Sequence, residues 1–373
     1  MRRVRGIVGV CGVTALVSLV AAPLPVRAGD DDDGHDSSAK VLLTDLSSPK
    51  GLGVNGDKNL VVAQGAFGAP GPVLVFALRG PGKGTAEAIT DAFGLVDIAI
   101  SPKDDTGWAI GGDTHLYHQL ADGTIDDVLD IPGYQLTDPD PVDHDDPPNP
   151  TESNPYGLTI ARNGDALVAD AAGNDLIRVT PDGDAVTVAR FDLESISTDH
   201  LPPDFPGGPL PPNFDAESVP TTVAVGPDGA IYVGELKGFP FRPGTSKIWR
   251  IKPGAEDAWC SVNTPDPSRK CSLYSSGYTA IQDIAFDRSS GRLYVYELAA
   301  DGVFAFEEGF ASGVFPPAVL LEVKKHGRHG DKRTELAAGE LSQPGGVAVS
   351  KGKVYVTDGV FGVGRLLRIN RDD

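Results

Sequence analysis

Basic residues, cysteine and long apolar runs are all scarce in this sequence. Its 32 Lys and Arg residues stand against 52 Asp and Glu residues, so the formal net charge is −20 at pH 7. Binding to nucleic acid or to an anionic membrane surface needs a basic face, so the charge argues against both partners. Beyond the N-terminus no apolar run is long enough to span a bilayer. We therefore expect no membrane insertion of the mature chain.

The short motifs of several enzyme classes are also missing. The sequence has no Gly-x-Ser-x-Gly elbow, no P-loop, no Rossmann glycine fingerprint and no His-Glu-x-x-His pair. Each of these motifs supplies a specific piece of chemistry, from an exposed nucleophile to a phosphate cradle. Their absence argues against the readily recognised hydrolases, nucleotide-dependent enzymes and zinc proteases.

The N-terminus has the pattern of an export signal. Three arginines precede the apolar stretch 6–22, and Val26-Arg27-Ala28 offers small residues for cleavage after Ala28. We predict a signal peptide over 1–28, a secreted protein, and an acidic linker over 29–38 (GDDDDGHDSS) that has too few apolar residues to fold. An uncleaved N-terminal anchor is the alternative.

The three cysteines fit export. Cys11 lies inside the apolar stretch, so cleavage leaves Cys260 and Cys271 as an even pair in an oxidising compartment. A disulfide between them is the expected outcome. Two thiols alone would be half of a zinc site, so a metal-binding role is not expected for this pair.

Strand-like segments recur six times along the chain. Each repeat has an apolar-x-apolar triplet, a short turn and a second apolar strand, as in Ile231-Tyr232-Val233-Gly234-Glu235. The copies open at Gly51, Asp97, Gly157, Thr222, Asp283 and Gly346. A repeat of about 60 residues made of short strands is typical of a β-propeller with one four-stranded sheet per blade. The sequence thus predicts an all-β fold, a six-bladed β-propeller over residues 39–373.

Third strands are legible in every repeat, and fourth strands in some. The predicted third strands are Val73–Phe76, Leu116–His118, Leu176–Val179, Ile248–Ile251, Val303–Phe306 and Leu366–Ile369. The predicted fourth strands are 128–129, 186–188 and Val319–Val323. The last repeat lacks a fourth strand, and 41–43 has no other partner. We therefore expect the N-terminal strand to close the ring by pairing with Leu366–Ile369.

Three insertions interrupt the repeats. Residues 136–153 are rich in Asp and Pro, 193–218 in Pro and Phe, and 253–277 contain the two cysteines. Long loops without strand signals are usually functional or disordered. The roles of the segments 137–150 and 199–213 are left open by the sequence.

Polar residues stand at equivalent ends of the repeated hairpins. The start of one strand and the end of its antiparallel partner lie at the same end of a hairpin. Six hairpins around one axis should bring these residues to one mouth of the channel. The candidate binding residues are Asn154, Asp170, Glu235, Gln282, Glu297 and Asp358. Gly111-Gly112 breaks the pattern in the second repeat.

This ring has two interpretations. Carboxylate and amide oxygens suit Ca²⁺ or Mg²⁺, with Asp170, Glu235 and Glu297 as the candidate metal ligands and Ca²⁺ as the possible cofactor. Alternatively each carboxylate bonds backbone N–H groups of an adjacent turn and holds its blade together. Lys237 and Arg178 lie near two of the turns and would balance the charge without an ion.

Several segments resemble the ScyD/ScyE family of exported six-bladed propellers. The resemblance rests on 153–158, 167–179, 219–229 and 293–298, and most specifically on the stretch Glu235-Leu236-Lys237-Gly238-Phe239-Pro240-Phe241. It implies a fold and a secreted location, because most members have no assigned reaction. The acidic insertion at 137–150 and the Pro-rich insertion at 199–213 are more extensive here than the family pattern leads us to expect.

The repeats are also similar to NHL and regucalcin or gluconolactonase-type blades, whose enzymes hold a divalent cation at the channel mouth. By type and place, the closest analogues are Asn154, Asp170, Glu235 and Glu297. Two functions follow. The first is a secreted binding or interaction propeller without catalysis, whose ligand is an unknown protein or small molecule. The second is a metal-dependent lactonase, hydrolase or lyase.

Overall fold

The computed structural model describes residues 38–56, 58–90, 93–104, 106–144, 147–203, 205, 208–325 and 330–371. The predicted signal peptide and nearly all of the predicted linker lie outside these residues. In chain order the strands are β1 (Ala39–Ser47), β2 (Leu52–Asn55), β3 (Asn59–Val62), β4 (Leu74–Ala77), β5 (Ala86–Ala88), β6 (Leu95–Ile100), β7 (Gly107–Gly111), β8 (His115–Gln119), β9 (Ile125–Asp130), β10 (Pro155–Ile160), β11 (Ala166–Asp170), β12 (Asp175–Val179), β13 (Ala185–Phe191), β14 (Glu194–Ser197), β15 (Asn213–Ala216), β16 (Pro220–Val225), β17 (Ile231–Glu235), β18 (Ser246–Ile251), β19 (Ala258–Cys260), β20 (Cys271–Tyr278), β21 (Ile281–Phe286), β22 (Leu293–Glu297), β23 (Val319–Lys325), β24 (Asp331–Leu336), β25 (Pro344–Ser350), β26 (Lys353–Asp358) and β27 (Val363–Ile369). Two helices are present in the same part of the chain, α1 (Ile131–Gln135) and α2 (Val303–Ser312).

The strands form six antiparallel blades around a central axis. Blades 1 and 2 are β2–β5 and β6–β9, blade 3 is β10–β13, blade 4 is β16–β18 with β20, and blade 5 is β21–β24. Blade 6 consists of β25–β27 and β1, ordered β1-β27-β26-β25. The first strand of each blade is innermost and contacts the first strands of its two neighbours. The predicted six-bladed propeller is confirmed.

The N-terminal strand closes the ring. Val41 lies opposite Leu367 and Leu43 opposite Leu366 in the β1–β27 ladder. This confirms the predicted closure, and it removes two free sheet edges that would otherwise be open to pairing with other chains.

Turn chemistry sets the hairpins that bring each blade's inner strands together. Between β16 and β17, the turn Asp228-Gly229 places Gly229 at φ +82°, a conformation that side chains rarely adopt. Asp228 accepts a hydrogen bond from the Ala230 N–H at 3.1 Å, and Tyr232 donates to it at 3.0 Å. A short turn fixes the register, and the register decides which residues face the axis.

Blade 5 differs from its prediction. The segment Val303–Phe306 is the start of α2 and not a third strand. Its Phe306 and Phe310 recur at helical spacing, and Gly313 ends the helix at φ +74°. The third strand is β23, whose residues Val319–Val323 were predicted as a fourth strand. The true fourth strand, β24, reads DKRTEL and has too few apolar residues to be recognised.

Two of the insertions contain strands. Within 193–218, β14 and β15 form a two-stranded hairpin. Within 253–277, β19 adds in parallel to the outer edge of blade 3, and β20 is the fourth strand of blade 4. The predicted disulfide is confirmed, with the Cα atoms of Cys260 and Cys271 5.3 Å apart. It therefore links the strand on blade 3 to the outer strand of blade 4.

Most of the hydrophobic core is divided among the six interfaces between blades, and a further cluster lies around α2. The interface of blades 3 and 4 has fifteen buried hydrophobic residues, whereas that of blades 1 and 2 has five. No helix among the described residues is long and apolar enough to cross a membrane.

Candidate functional site

A hydrogen bond recurs at the end of the second strand in five blades. A side-chain oxygen there accepts from the loop that enters the same blade, 16 to 18 residues earlier. The acceptors are Gln64, Asp170, Glu235, Glu297 and Asp358, and their donors are Ser47 N–H, Asn154 N–H, Ser218 Oγ–H, Thr279 N–H and Ser342 N–H. The bond fastens the blade's entry loop to its second strand. Blade 2 has Gly111 at the end of β7 and no such side chain.

Asp170 is fully committed to this role. Its Oδ1 accepts from the N–H groups of Asn154 at 2.6 Å and Gly173 at 3.1 Å. Its Oδ2 accepts from Ser153 Oγ at 2.6 Å and from Gln135 Nε2 at 3.1 Å. The side chain has no exposure to solvent. Both oxygens are therefore engaged in stabilising blade 3.

Asp358 has an equally complete set of partners. Arg365 donates to its Oδ2 from both Nε and Nη2, at 2.9 and 2.8 Å. Tyr296 and the Ser342 N–H donate to its Oδ1 at 3.1 and 2.8 Å. The two guanidinium donors on Oδ2 and the two neutral donors on Oδ1 account for both carboxylate oxygens.

Glu235 lies in a buried network of two acids and two bases. Lys237 Nζ is 3.2 Å from Glu235 Oε1 and 3.2 Å from Glu194 Oε2. Lys247 bonds Glu194 and lies 3.8 Å from Glu235, while Trp249 donates to Glu235 Oε2 at 3.0 Å. Lys237 supplies the compensation predicted from sequence. Arg178 does not, because it pairs with Asp165 and Glu256.

Glu297 has less compensation. It accepts from the Thr279 N–H at 2.9 Å and is nearly buried. Burial raises the pKa of Glu297 to about 7. Desolvation disfavours its charged form, so it takes up a proton near neutral pH.

These contacts test whether the predicted ligands fit Ca²⁺. Calcium takes six to eight oxygens around one point. Asp170 and Glu235 instead face N–H, O–H and ammonium donors, and each residue fastens its own blade. Within the described part of the chain, no three His, Cys, Asp or Glu side chains are arranged to hold a metal ion. The donor set does not fit a calcium site at these residues.

The axis is closed at the face where the first strands begin. Tyr156 of β10 donates its hydroxyl to Gln282 Oε1 of β21 at 2.8 Å, so blades 3 and 5 are joined across the ring. Lys50, just before β2, donates to the Tyr156 carbonyl at 2.6 Å, with its Nζ 4.1 Å from the Tyr156 ring centroid. Of the six predicted binding residues, Gln282 is the one that these contacts place at the axis.

The other end of the channel opens into a cavity of about 890 Å³, which we call the central cavity. Its walls are the first strands of all six blades, and its mouth lies at the turns from first to second strand. Aliphatic side chains such as Leu52, Ile160 and Val225 line its walls. Charged side chains of both signs lie around its mouth: Lys103, Asp104, Arg162, Asp287, Arg288 and Lys351. It therefore opens on the face opposite to the one predicted to be functional.

Two aspartates lie at the floor of the central cavity. Asp97 Oδ2 accepts from the Leu158 N–H at 2.9 Å and is 3.5 Å from Lys50 Nζ. Asp283 Oδ2 accepts from the Val347 N–H at 2.7 Å, and its Oδ1 accepts from Thr222 Oγ1 at 2.6 Å. Each aspartate thus joins its own blade to the next one and also faces the cavity.

The floor of the central cavity has two acidic side chains, Asp97 and Asp283, and one basic side chain, Lys50. Burial raises the pKa of Asp97, although Lys50 opposes the shift. Burial and then the charge of Asp97 raise the pKa of Asp283 to about 6. Among the described residues, no Lys or Arg lies within ion-pair distance of Asp283. The charge of Lys50 opposes the rise in pKa at both aspartates, so two buried acidic groups share one ammonium group.

Sequence reasoning missed this pair. Asp97 and Asp283 open two of the six repeats, at positions where blades 3 and 6 have Gly157 and Gly346. A Cβ at Gly157 would lie 2.6 Å from the Thr221 carbonyl oxygen, so the inner strands are too close for a side chain there. Two acids among glycines at one repeat position were the available signal.

Comparison with known proteins supports the fold alone. No family model and no curated protein matches the sequence. Solved structures that resemble the chain over most of its length include three sugar dehydrogenases. A protein described as a putative glucose dehydrogenase from a Thermus species is 17% identical, with TM-score 0.52, covering 89% of this chain and 99% of its own. Another glucose dehydrogenase is 14% identical, with TM-score 0.53 and coverage of 90% and 99%. The PQQ-bound aldose sugar dehydrogenase from Streptomyces coelicolor is 15% identical, with TM-score 0.50 and coverage of 90% and 98%.

Proposed function

We propose that this protein is an exported binding propeller of ScyD/ScyE type, which takes a small organic cation with an apolar body into the central cavity. The observation that carries the proposal is Asp283 at the cavity floor. Its carboxylate faces the cavity, and Lys50 is already held by Asp97 and by the Tyr156 carbonyl.

Shape and chemistry of the cavity support this ligand class. Its volume of about 890 Å³ lies within the range of small-molecule sites. A ligand ammonium group at the floor would balance the second carboxylate, and such charge-assisted hydrogen bonds are strong where water is partly excluded. The aliphatic walls would cover the apolar body of the ligand.

Export is part of the proposal. The basic and apolar N-terminus has the order of a signal peptide. The disulfide between Cys260 and Cys271 is typical of proteins that fold in an oxidising compartment. Mass spectrometry of the protein recovered from the culture medium tests this, and a mature chain beginning at Gly29 is expected.

Isothermal titration with three six-carbon probes tests the ligand class. At pH 7.5 hexylammonium should bind with a stoichiometry of one, whereas hexanol should bind at least tenfold more weakly and hexanoate not at all. Asp283→Asn should weaken hexylammonium binding by about tenfold or more, and Asp122→Asn, on an exposed turn of blade 2, should leave it unchanged. Equal affinity for hexylammonium and hexanoate would contradict the proposal.

Acidity provides a second test of the same site. Asp283 with a pKa of about 6 takes up a proton as the pH falls, and the protonated form does not attract a cation. Hexylammonium affinity should therefore drop between pH 7.5 and 5. Affinity that is unchanged over this range would assign binding to another part of the protein.

The metal-dependent alternative makes a different prediction. A cation bound only by the folded state raises the midpoint of thermal unfolding. Because the oxygens of Asp170 and Glu235 already face hydrogen-bond donors and lysines, we expect the same midpoint in Ca²⁺ and in EDTA. A calcium-dependent rise that Asp283→Asn abolishes would move the metal hypothesis to the central cavity.

A further inference from the structure

A second cavity lies between blades 1 and 2. It measures about 490 Å³ and is lined mainly by apolar side chains, with no charged residue among those lining residues that the structure describes. Val61, Val73 and Val75 line it from blade 1, and Ala109 and Ile125 from blade 2. We call it the blade 1–2 cleft. Ile98 and Ile100 of β6 line both this cleft and the central cavity, so a single strand separates the two.

The cleft is open because the interface contains small side chains. Gly107 and Ala109 line it from β7, and β5 at the edge of blade 1 is only three residues long. The interface has five buried hydrophobic residues, against nine to fifteen in the other five. Facing sheets are normally filled to crystal-like density, so this gap departs from the rest of the molecule.

Large apolar side chains are exposed around the cleft. Of nine exposed large hydrophobic residues in the described part of the chain, three line it: Ile89, Phe93 and Ile125, at 51%, 44% and 58% exposure. Phe93 packs edge-on against Tyr117, with ring centroids 5.7 Å apart. Apolar surface of this kind gains free energy when a ligand covers it.

The general spacing of packed sheets limits what can enter between two blades. Packed sheets lie about 10 Å apart, and an α-helix with its side chains is about 10–12 Å across. A helix of a partner protein is therefore too thick to enter between two blades. A flat molecule one ring thick would need less room, and the small residues of β7 and the valines of blade 1 leave an open volume between them.

We propose that the blade 1–2 cleft binds a planar, uncharged apolar molecule of two to four rings. None of the described residues that line the cleft is cationic, so a ligand anion gains nothing there. This site is independent of the cation site proposed for the central cavity, and either can exist without the other.

Fluorescence titration with N-phenyl-1-naphthylamine, a neutral planar probe, tests the proposal. We expect saturable binding of one probe per chain, with energy transfer from Trp108, which lies on β7. Ala109→Phe should fill the cleft from blade 2 and weaken probe binding at least tenfold, without lowering the melting midpoint. Val75→Phe should do the same from blade 1. If one of these two variants does not fold, the other one still tests whether the probe binds in the cleft.

The control variant is Phe310→Ser, which removes an exposed aromatic ring on α2. Probe affinity should remain as in the unaltered protein. Loss of binding in Phe310→Ser, or unchanged binding in folded Ala109→Phe, would overturn the proposal. So would a dimer in sedimentation that Ile125→Ser dissociates, combined with no saturable probe binding, because a second copy would then cover the cleft.

Discussion

Two interfaces of the same propeller are built very differently. Between blades 3 and 4, fifteen buried hydrophobic residues pack together, β19 extends blade 3, and the disulfide reaches across to β20. Between blades 1 and 2, five buried residues pack beside an open cleft. The strand pattern is the same in both, so the difference comes from side-chain size and from the inserted elements.

The two interfaces are suited to different roles: the filled one to stability and the unfilled one to ligand binding. Filled interfaces gain dispersion and apolar burial, whereas an unfilled one leaves space for a ligand. We therefore expect the 3–4 side of the ring to resist unfolding and the 1–2 side to open first. The predictions below compare the two sides.

The largest effect is expected for Glu235→Gln in blade 4. The change removes one buried negative charge and leaves Lys237 and Lys247 facing Glu194 alone. Breaking a buried ion pair costs about 3–5 kcal/mol, which urea unfolding would measure. Glu235→Gln with Lys237→Met restores a one-to-one balance and should recover at least about 1 kcal/mol. Equal stability of the single variant and the unaltered protein would show that the network is not stabilising.

Removing the disulfide should have the next largest effect. Replacing both Cys260 and Cys271 by alanine releases a short loop and should cost about 3 kcal/mol. Dithiothreitol should lower the urea midpoint of the unaltered protein and leave the double variant unchanged. An unaltered midpoint in the double variant would mean that packing alone holds blades 3 and 4 together.

Matched valine truncations compare the interfaces directly. Val233 and Val61 are both buried, in the 3–4 and 1–2 interfaces respectively. Val233→Ala creates a closed void and should cost about 2 kcal/mol, whereas Val61→Ala only enlarges an open cleft and should cost about 1 kcal/mol. Equal losses would indicate that the cleft closes in solution.

The effect expected at Glu297 vanishes at acid pH and grows as the pH rises. Its pKa of about 7 in the folded protein exceeds the value of 4.5 for an unperturbed Glu, so the folded state binds its proton more tightly. Stability from this group is complete below pH 4.5 and is lost as the pH rises through 7. Glu297→Gln should be more stable than the unaltered protein by about 3 kcal/mol at pH 8, and the difference should nearly vanish at pH 4. A lower stability at pH 8 would contradict this sign.

Much of the fold was predictable because short apolar strands at a regular spacing leave few alternatives. The closing pair β1–β27 followed from counting, since one blade lacked a strand. Val303–Phe306 was misassigned because alternating Val, Phe, Ala and Phe fits a strand as well as the first turn of a helix. The polar β24 gave no apolar signal, because neither of its faces needs to be strongly apolar at the blade's outer edge.

The candidate site was harder to predict. Equivalent hairpin ends do share one face, but the carboxylates there bond their own entry loops, and sequence cannot show which neighbour a side chain selects. Lys50 and Tyr156 close that end of the channel, and neither belongs to a recognisable motif. The sequence identified Asp97 and Asp283 only as the first residues of two repeats. It did not predict that their side chains face the central cavity, because the direction of a side chain depends on a register set by the turns.

Ring closure by β1 and β27 has a consequence for the order of events during synthesis. Ala39 pairs with Ile369, so β1 has to wait for its partner until β27 has been made. Until then β1 has no partner and β26 remains an unprotected edge. A chain that lacks β27 has five complete blades, only the pair β25 and β26 in the sixth, and no closed ring.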